Sequence, residues 1–163
     1  MVVNRQHRVS VALRPLEAFV ERVQHALRLP ERDVTVCLVS DAAIARLNHA
    51  FRGKRGPTDV LSFPANGNLR WQSGKPAGKR NRKTAAAGRT QGSAGEEIGY
   101  LGDIAISPET ARRNARHFGR TLPDELRVLI LHGMLHLAGY DHETDHGEMD
   151  RLERRLRRRL GLS

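Results

Sequence analysis

The fold that the sequence predicts is a mixed β-sheet of roughly four strands packed by about five helices. Two observations lead to it. Four runs of β-branched and apolar residues have the length and composition of strands, at residues 9–13, 34–39, 60–63 and 100–106. Between and after them, apolar residues recur at the spacing of amphipathic helices. The length of 163 residues suits one domain with a real core, so we expect residues 1–163 to form a single domain.

The first half of the chain alternates helix and strand. A helix that opens at Pro15 is predicted from an apolar stripe of Leu16, Phe19, Val20, Val23, Ala26 and Leu27. The run at 34–39 is typical of a strand buried on both faces, and Cys37 within it, the one cysteine of the chain, is most simply a buried thiol. Ser40 or Asp41 can cap the next helix. The stripe of that helix is Ile44, Leu47 and Phe51.

The second half holds three further helices. One begins at Ser107, because Pro108 suits the first helical position, and it runs to Phe118. The next spans residues 121–138. The last begins near His146 and has a narrow apolar stripe of Met149, Leu152, Leu156 and Leu160. Six arginines cover the rest of it, which we interpret as a solvated face, with an RNA or ribosome contact as the alternative: Arg151, Arg154, Arg155, Arg157, Arg158 and Arg159.

The charge of the chain indicates a polyanionic partner. Lys and Arg number 28 against 18 Asp and Glu, a formal net charge of +10. Such an excess suits phosphate-rich partners, although charge alone leaves RNA, DNA and acidic membrane open. The N-terminus has no apolar leader and no run of about 18 apolar residues occurs, so we expect a soluble cytoplasmic protein.

Residues 66–97 differ in composition from the rest. They are rich in Gly, Ala, Ser and Gln, and seven basic residues against two acidic ones give them a net charge of +5. With so little apolar content we expect a disordered basic insertion. It is interpreted either as an arm that grips RNA backbone, with Trp71 as a base-stacking residue, or as a neutral insertion.

Three histidines form the main candidate site. His132 and His136 are four residues apart, so on a helix they share one face. Gly139 ends the helix, and His142 follows in the turn. Three imidazoles can hold one zinc ion and leave a fourth position open, the pattern of a catalytic zinc. His146 is a weaker candidate for a fourth ligand. Asp141, Glu143 and Asp145 are candidate hydrogen-bond acceptors for the histidines, and Asp103 is another.

A basic loop rich in Gly and Pro is the second candidate. It follows Phe51 and leads to the strand at 60–63, which Pro64 stops. Arg52 and Lys54 on this loop offer charge-assisted donors suited to phosphate oxygens. An ordinary solvated turn is the alternative.

Both candidate stretches resemble signatures of the YbeY family of bacterial metal-dependent endoribonucleases. Residues 132–142 match H-G-x-L-H-L-x-G-Y-D-H at every fixed position, and residues 51–64 match F-R-G-K-x-x-P-T-D-V-L-S-F-P. The resemblance covers roughly residues 34–150 apart from the insertion. It implies one α+β domain, one Zn²⁺ per chain on His132, His136 and His142, and a catalytic role for Arg52.

The resemblance also implies the biological role. It indicates a zinc-dependent, single-strand-specific endoribonuclease, a hydrolase of phosphodiester bonds, that matures the 3′ end of small-subunit rRNA and takes part in ribosome quality control. The expected partners are single-stranded RNA or rRNA and the small ribosomal subunit or its assembly factors, without a membrane. The general base stays unassigned, and the attacking group is either a water or the RNA's own 2′-hydroxyl.

Two other functions stay open at this point. A zinc hydrolase of another substrate class, such as a metalloprotease, is disfavoured because Gly133 stands where the H-E-x-x-H motif has its glutamate. A non-catalytic ribosome-assembly factor with a structural metal would be favoured if His146 closed the site.

Overall fold

The computed structural model describes residues 1–29, 32–65, 71–72, 75–76, 99–141 and 143–162. In chain order its strands and helices are β1 Val2–Asn4, α1 Leu13–Ala26, β2 Asp33–Leu38, α2 Asp41–Arg52, β3 Val60–Pro64, β4 Trp71–Gln72, β5 Lys75–Pro76, β6 Tyr100–Ile106, α3 Pro108–His117, α4 Leu122–Leu137 and α5 Glu148–Leu160.

The main sheet has four strands in the order β1-β2-β6-β3. Strands β1, β2 and β6 are parallel, whereas β3 is antiparallel to β6. The predicted α+β class, with five helices and a mixed four-stranded sheet, is therefore confirmed. Strand β3 lies at one edge, and its last residue, Pro64, pairs with Gly102.

The first predicted strand is wrong. Strand β1 lies at Val2–Asn4, while residues 9–12 form no strand and Leu13 already starts α1. Val9 is buried, but the side chain of Gln6 satisfies its backbone: Val9 N–H donates to Gln6 Oε1 at 2.9 Å, and Gln6 Nε2 donates to the Val9 carbonyl at 2.8 Å. Both the N–H and the carbonyl of Val9 are hydrogen-bonded to Gln6, so Val9 can be buried without pairing to a strand. Its buried, apolar side chain produced the pattern from which a strand was predicted.

The two faces of the sheet bury separate clusters. The main core lies between the sheet and α1, α3, α4 and α5. Its largest side chains are Leu16, Phe19, Leu38, Ile104, Ile106, Leu126, Ile130, Leu131, Met134, Leu135 and Met149. The small core lies on the opposite face beneath α2. It comprises Cys37, Val39, Ile44, Leu47, Leu61, Phe63 and Ala105.

Most element boundaries agree with the sequence predictions. Ser40, Ser107 and Thr121 cap α2, α3 and α4 by accepting backbone N–H groups. Cys37 is a buried free thiol, and burial raises its pKa against the opposing effect of Arg5. Of residues 66–97, only β4 and β5 are described, as an antiparallel pair. The predicted disorder of this insertion and the role of Trp71 stay predictions. Among the described residues, no helix is long and apolar enough to cross a bilayer.

Candidate functional site

Helix α4 brings His132 and His136 together. Their Nε2 atoms lie 3.2 Å apart, and their rings meet edge to face with centroids separated by 4.8 Å. The helix that carries them is buried along most of its length and packs against β3, β6, α1, α3 and α5. The backbone positions of both histidines are therefore fixed by the main core.

The chain reverses direction directly after these histidines. Gly139 has φ +97°, which favours glycine, and its N–H donates to the His136 carbonyl at 3.0 Å. Tyr140 N–H donates to the Leu135 carbonyl at 3.0 Å. The predicted turn at Gly139 is thus confirmed. His142, the third predicted ligand, lies outside the described residues.

The acidic residues of this turn hold backbone groups. Asp141 Oδ1 accepts the N–H of Glu143 at 2.9 Å, and Asp145 accepts the N–H groups of Gly147 and Met149, each at 2.8 Å. The Met149 N–H, together with that of Gly147, lowers the pKa of Asp145. These contacts organise the entry to α5. The role of Asp141, Glu143 and Asp145 as hydrogen-bond acceptors for the histidines stays a prediction.

A carboxylate that the sequence analysis missed contacts His132. Glu153 on α5 is buried, and its Oε2 lies 3.0 Å from His132 Nδ1. Its other oxygen, Oε1, accepts a hydrogen bond from Arg157. Burial opposes ionisation, but His132 and Arg157 outweigh it, so the pKa of Glu153 lies below its usual value. Glu153 lies four residues after Met149 and three before Leu156, and both of these are buried. This helical spacing is the feature of the sequence that could have placed Glu153 on the buried face of α5.

Gly133 lets α4 lie close to the sheet. A Cβ at this position would come within 2.9 Å of Ile104 Cγ2 and 3.1 Å of Ser62 Oγ. Ser62 Oγ also donates to the Gly133 carbonyl at 3.2 Å. A side chain here requires Ile104, Ser62 or the helix to move, so this packing disfavours a glutamate at position 133 as a general base.

Arg52 reaches the same cleft from the other face of the sheet. It is the last residue of α2, which Gly53 ends with φ +64°, so the prediction that Arg52 lies on a loop is wrong. The preceding residue, Phe51, packs edge-on against Phe63 with centroids 5.1 Å apart, which fixes the end of α2 to β3. Arg52, His132 and His136 line one cleft of about 490 Å³, whose floor includes Ser62 of β3.

The segment before β3 gives the cleft a second polar wall. Asp59 and Thr58 line it. Asp59 Oδ1 accepts the Val60 N–H at 2.8 Å, and Oδ2 accepts a hydrogen bond from Asn114 of α3 at 3.1 Å. Hydrogen bonds to β3 and α3 consequently fix this carboxylate in position at the cleft wall.

The sequence profile of the family described as Endoribonuclease YbeY matches residues 1–161. The chain belongs to the endoribonuclease YbeY family. Endoribonuclease YbeY of Nautilia profundicola is 40% identical over 134 residues, which cover 82% of this chain and 76% of that protein. Endoribonuclease YbeY of Koribacter versatilis is 36% identical over 162 residues, 99% of this chain and 86% of that protein.

A solved structure shares the fold of this chain. The solution structure of a Thermotoga maritima protein is similar to this chain with a TM-score of 0.57 and 27% sequence identity. The similarity covers 98% of this chain and 89% of that one. The α+β arrangement of this YbeY family member is therefore shared with a protein whose structure was solved by experiment.

The arrangement of this YbeY family site suits a metal ion. Two nitrogen ligands of one tetrahedral zinc at 2.0–2.1 Å lie roughly 3.3 Å apart, close to the 3.2 Å between the two Nε2 atoms. A carboxylate at His132 Nδ1 leaves Nε2 as the lone-pair nitrogen. Within the described part of the chain, no group of three or more His, Cys, Asp or Glu side chains converges. The two described histidines fit a metal, and the third predicted ligand is His142.

Asp103 lies on the wrong face of the sheet to support the histidines. On β6 its neighbours Gly102 and Ile104 face α4, and Gly102 has Leu137 of that helix close to the position of an added Cβ. Asp103 is buried on the side of Ala105 and accepts a hydrogen bond from the Tyr100 hydroxyl. Asp103 therefore makes a hydrogen bond within its own strand, on the face of the sheet away from α4.

Proposed function

We propose a specific form of the endoribonuclease activity that characterises this family. The protein is a zinc-dependent enzyme that cleaves single-stranded RNA, with one Zn²⁺ per chain on His132, His136 and His142, and with Arg52 as the catalytic residue. Its role is maturation of the 3′ end of small-subunit rRNA and ribosome quality control in the cytoplasm, together with the small ribosomal subunit or its assembly factors.

The observation that carries the proposal is the convergence of two Nε2 atoms in the cleft that Arg52 also lines. A cleft that combines nitrogen ligands with an arginine suits a phosphodiester, because the guanidinium matches the geometry of phosphate oxygens. A peptide substrate offers no such anionic centre. The crowding at Gly133 also leaves no space for the glutamate of the H-E-x-x-H motif.

Each described side chain has a task in the proposed reaction. Arg52 binds a non-bridging oxygen of the scissile phosphate and stabilises the negative charge that grows there in the transition state. His132 and His136 would hold the ion through their Nε2 atoms, which lie 3.2 Å apart, and Glu153 lies 3.0 Å from His132 Nδ1. Bound zinc would supply Lewis-acid polarisation and a lowered pKa for a coordinated water.

The surface charge supports RNA as the substrate. Helix α5 packs next to His132 through Glu153, and its arginines at 151, 154, 155, 158 and 159 are exposed. A second cavity of about 400 Å³ beside His132 is lined by Arg154 and Arg157 and also by Asp150 and Glu153, so its lining carries both signs of charge. The exposed arginines of α5 can neutralise phosphates that flank the cleavage point.

Cleavage of labelled single-stranded RNA by metal-analysed protein tests the proposal. We expect zinc near one per chain in the wild type and in His117→Ala, whose histidine is exposed on α3. His136→Ala should lose both the zinc and the cleavage, because it removes one converging Nε2. The same strand annealed to its complement should resist the wild-type enzyme. Equal residual cleavage in all three proteins would indicate a contaminating nuclease and favour a non-catalytic ribosome-assembly factor.

A further inference from the structure

We infer that Glu153 is a positioning residue for the proposed metal site, acting through His132. Its carboxylate selects the tautomer of His132 and the orientation of the ring, so that Nε2 faces His136 Nε2 before any ion arrives. The inference rests on the proposed function, because it assigns Glu153 a purpose in preparing that site.

The contact between Glu153 and His132 has a defined direction. An ionised carboxylate only accepts hydrogen bonds, so at 3.0 Å from Glu153 Oε2 the Nδ1 atom of His132 is the donor. A neutral imidazole with its proton on Nδ1 carries its lone pair on Nε2. That nitrogen is the one that lies 3.2 Å from His136 Nε2. The second nitrogen of a ligating histidine commonly donates to such an acceptor.

Glu153 is itself held in place. Only 7% of the residue is exposed, and Arg157, one turn later on α5, donates to Oε1. Met149 and Leu156 on the same helix are buried in the main core. The carboxylate therefore has little freedom to rotate away from His132. Its hydrogen bond in turn restricts rotation of the His132 ring.

A purely structural buried ion pair is the competing explanation, and the chain contains a matched example. Glu125 of α4 is 2% exposed and pairs with Arg120 at 2.9 Å, just as Glu153 pairs with Arg157. Glu125 lies about two helical turns before His132 on α4, and its Oε2 accepts a hydrogen bond from Arg120 and not from a histidine. Removal of either glutamate takes a buried carboxylate away from a half-buried arginine, so both variants should lose comparable stability. Only the loss of Glu153 should alter the histidine site.

The experiment compares Glu153→Gln, Glu153→Ala and Glu125→Gln with the wild type in two measurements. The first is zinc affinity, by competition with a chromophoric chelator. We expect Glu153→Ala to bind zinc about 10- to 100-fold more weakly. Glu153→Gln keeps an acceptor oxygen but loses the charge, so it should fall between Glu153→Ala and wild type. Glu125→Gln should bind like the wild type.

The second measurement uses ¹⁵N NMR of the histidine rings in metal-free protein at neutral pH. His132 should carry its proton on Nδ1 in the wild type and in Glu125→Gln, and should become a mixture of tautomers in Glu153→Ala. If Glu153→Ala does not fold, Glu153→Gln gives the same two readouts.

The outcomes separate this inference from the proposed function. Tight zinc binding that is equal in wild type and both Glu153 variants, with an unchanged His132 tautomer, would overturn the role of Glu153 and leave the zinc enzyme intact. Wild-type protein that binds no zinc would overturn the proposed function. If Glu125→Gln lost as much zinc affinity as Glu153→Gln, Glu153 would act only through a structural ion pair, and the inference would be wrong.

Discussion

The two faces of the sheet both contribute to the cleft, but they hold their side chains in different ways. On the α4 face, His132 and His136 project from a helix that is enclosed by the main core and by three other helices. On the α2 face, Arg52 stands exposed at the end of a helix that covers only the small core. Edge strand β3 separates them. One face thus fixes a rigid pair of nitrogens, while the other presents a long cation with freedom to move.

This difference predicts that the two halves of the site respond differently to mutation. Changes on the α4 face should affect folding and the proposed metal together, because packing and ligand geometry share the same atoms. Changes at Arg52 should affect chemistry alone.

The largest effect without a change in stability is expected for Arg52→Ala. Loss of one group that stabilises transition-state charge typically lowers kcat by about 100- to 1000-fold. The unfolding free energy should change by less than about 0.5 kcal/mol, since Arg52 is exposed. Single-turnover cleavage of single-stranded RNA and urea denaturation measure the two quantities, and zinc content should stay unchanged.

Two further variants define what Arg52 does. Arg52→Lys keeps the charge but loses the planar fork, so its rate should lie between those of Arg52→Ala and the wild type. Arg46→Ala removes an exposed arginine from the same helix outside the cleft and should cleave normally. Full activity of Arg52→Ala would show that its assigned role is wrong.

The next effect concerns the packing of α4. Gly133→Ala places a Cβ within 2.9 Å of Ile104, and overpacking of this kind costs about 1–3 kcal/mol. Zinc affinity should fall with it, because the close contact with Ile104 pushes α4 and its histidines away from β6. Urea denaturation measures the unfolding free energy, and chelator competition measures the zinc affinity.

Gly53→Ala on the α2 face is the matched control. Its Cβ meets nothing within 4 Å among the described residues, but its φ of +64° is unfavourable for alanine, which costs about 1–2 kcal/mol. This variant should lose stability and retain zinc affinity. Equal zinc affinity in Gly133→Ala and Gly53→Ala would contradict the proposed coupling between packing and ligand geometry.

The smallest effect is a pH dependence at the start of α2. Burial opposes ionisation of Asp41, but hydrogen bonds from Ser107, Thr110 and Arg113 outweigh it and lower its pKa. The ionised form therefore stabilises the fold above the usual aspartate pKa near 4. This contribution disappears as the pH falls through the lowered value of the folded state.

Asp41→Asn should consequently be less stable than the wild type at pH 7, by about 1 kcal/mol, and the difference should shrink well below pH 4. Urea denaturation at pH 7 and pH 3 tests this, with Glu21→Gln at an exposed position of α1 as the control. A difference between Asp41→Asn and wild type that does not change with pH would argue against a charge effect.

The sequence predicted elements well where local chemistry determined them. Ser40 and Ser107 are the caps that the sequence predicted, because their hydroxyls accept nearby N–H groups and this signal is local. Thr121, predicted only as the start of its helix, caps it in the same way. The strand predicted at residues 9–13 failed for the opposite reason. The buried Val9 is satisfied by a side-chain amide, and no local pattern distinguishes that from a strand.

The site was predictable to a similar degree. The four-residue spacing of His132 and His136 sufficed to place two nitrogens together, and Gly139 indicated the turn. The partner of His132 was assigned to the nearby acidic turn, yet Glu153 makes this contact from the next helix. The angle at which α5 crosses α4 is a tertiary property. The sequence therefore could not decide which of several acidic residues contacts His132, and the structure was needed for this.

The pairing of β3 with β6 has a consequence for how this protein can diversify. Ala65 N–H donates to the Leu101 carbonyl at 3.0 Å, and Pro64 lies opposite Gly102, so the chain leaves and re-enters the sheet at one point. Closing a loop of twice the length between fixed ends costs only about 0.6 kcal/mol more. The segment between these ends can therefore change in length or in charge during evolution without a change in the cleft. New contacts with other macromolecules can arise on this segment while the catalytic residues stay in place.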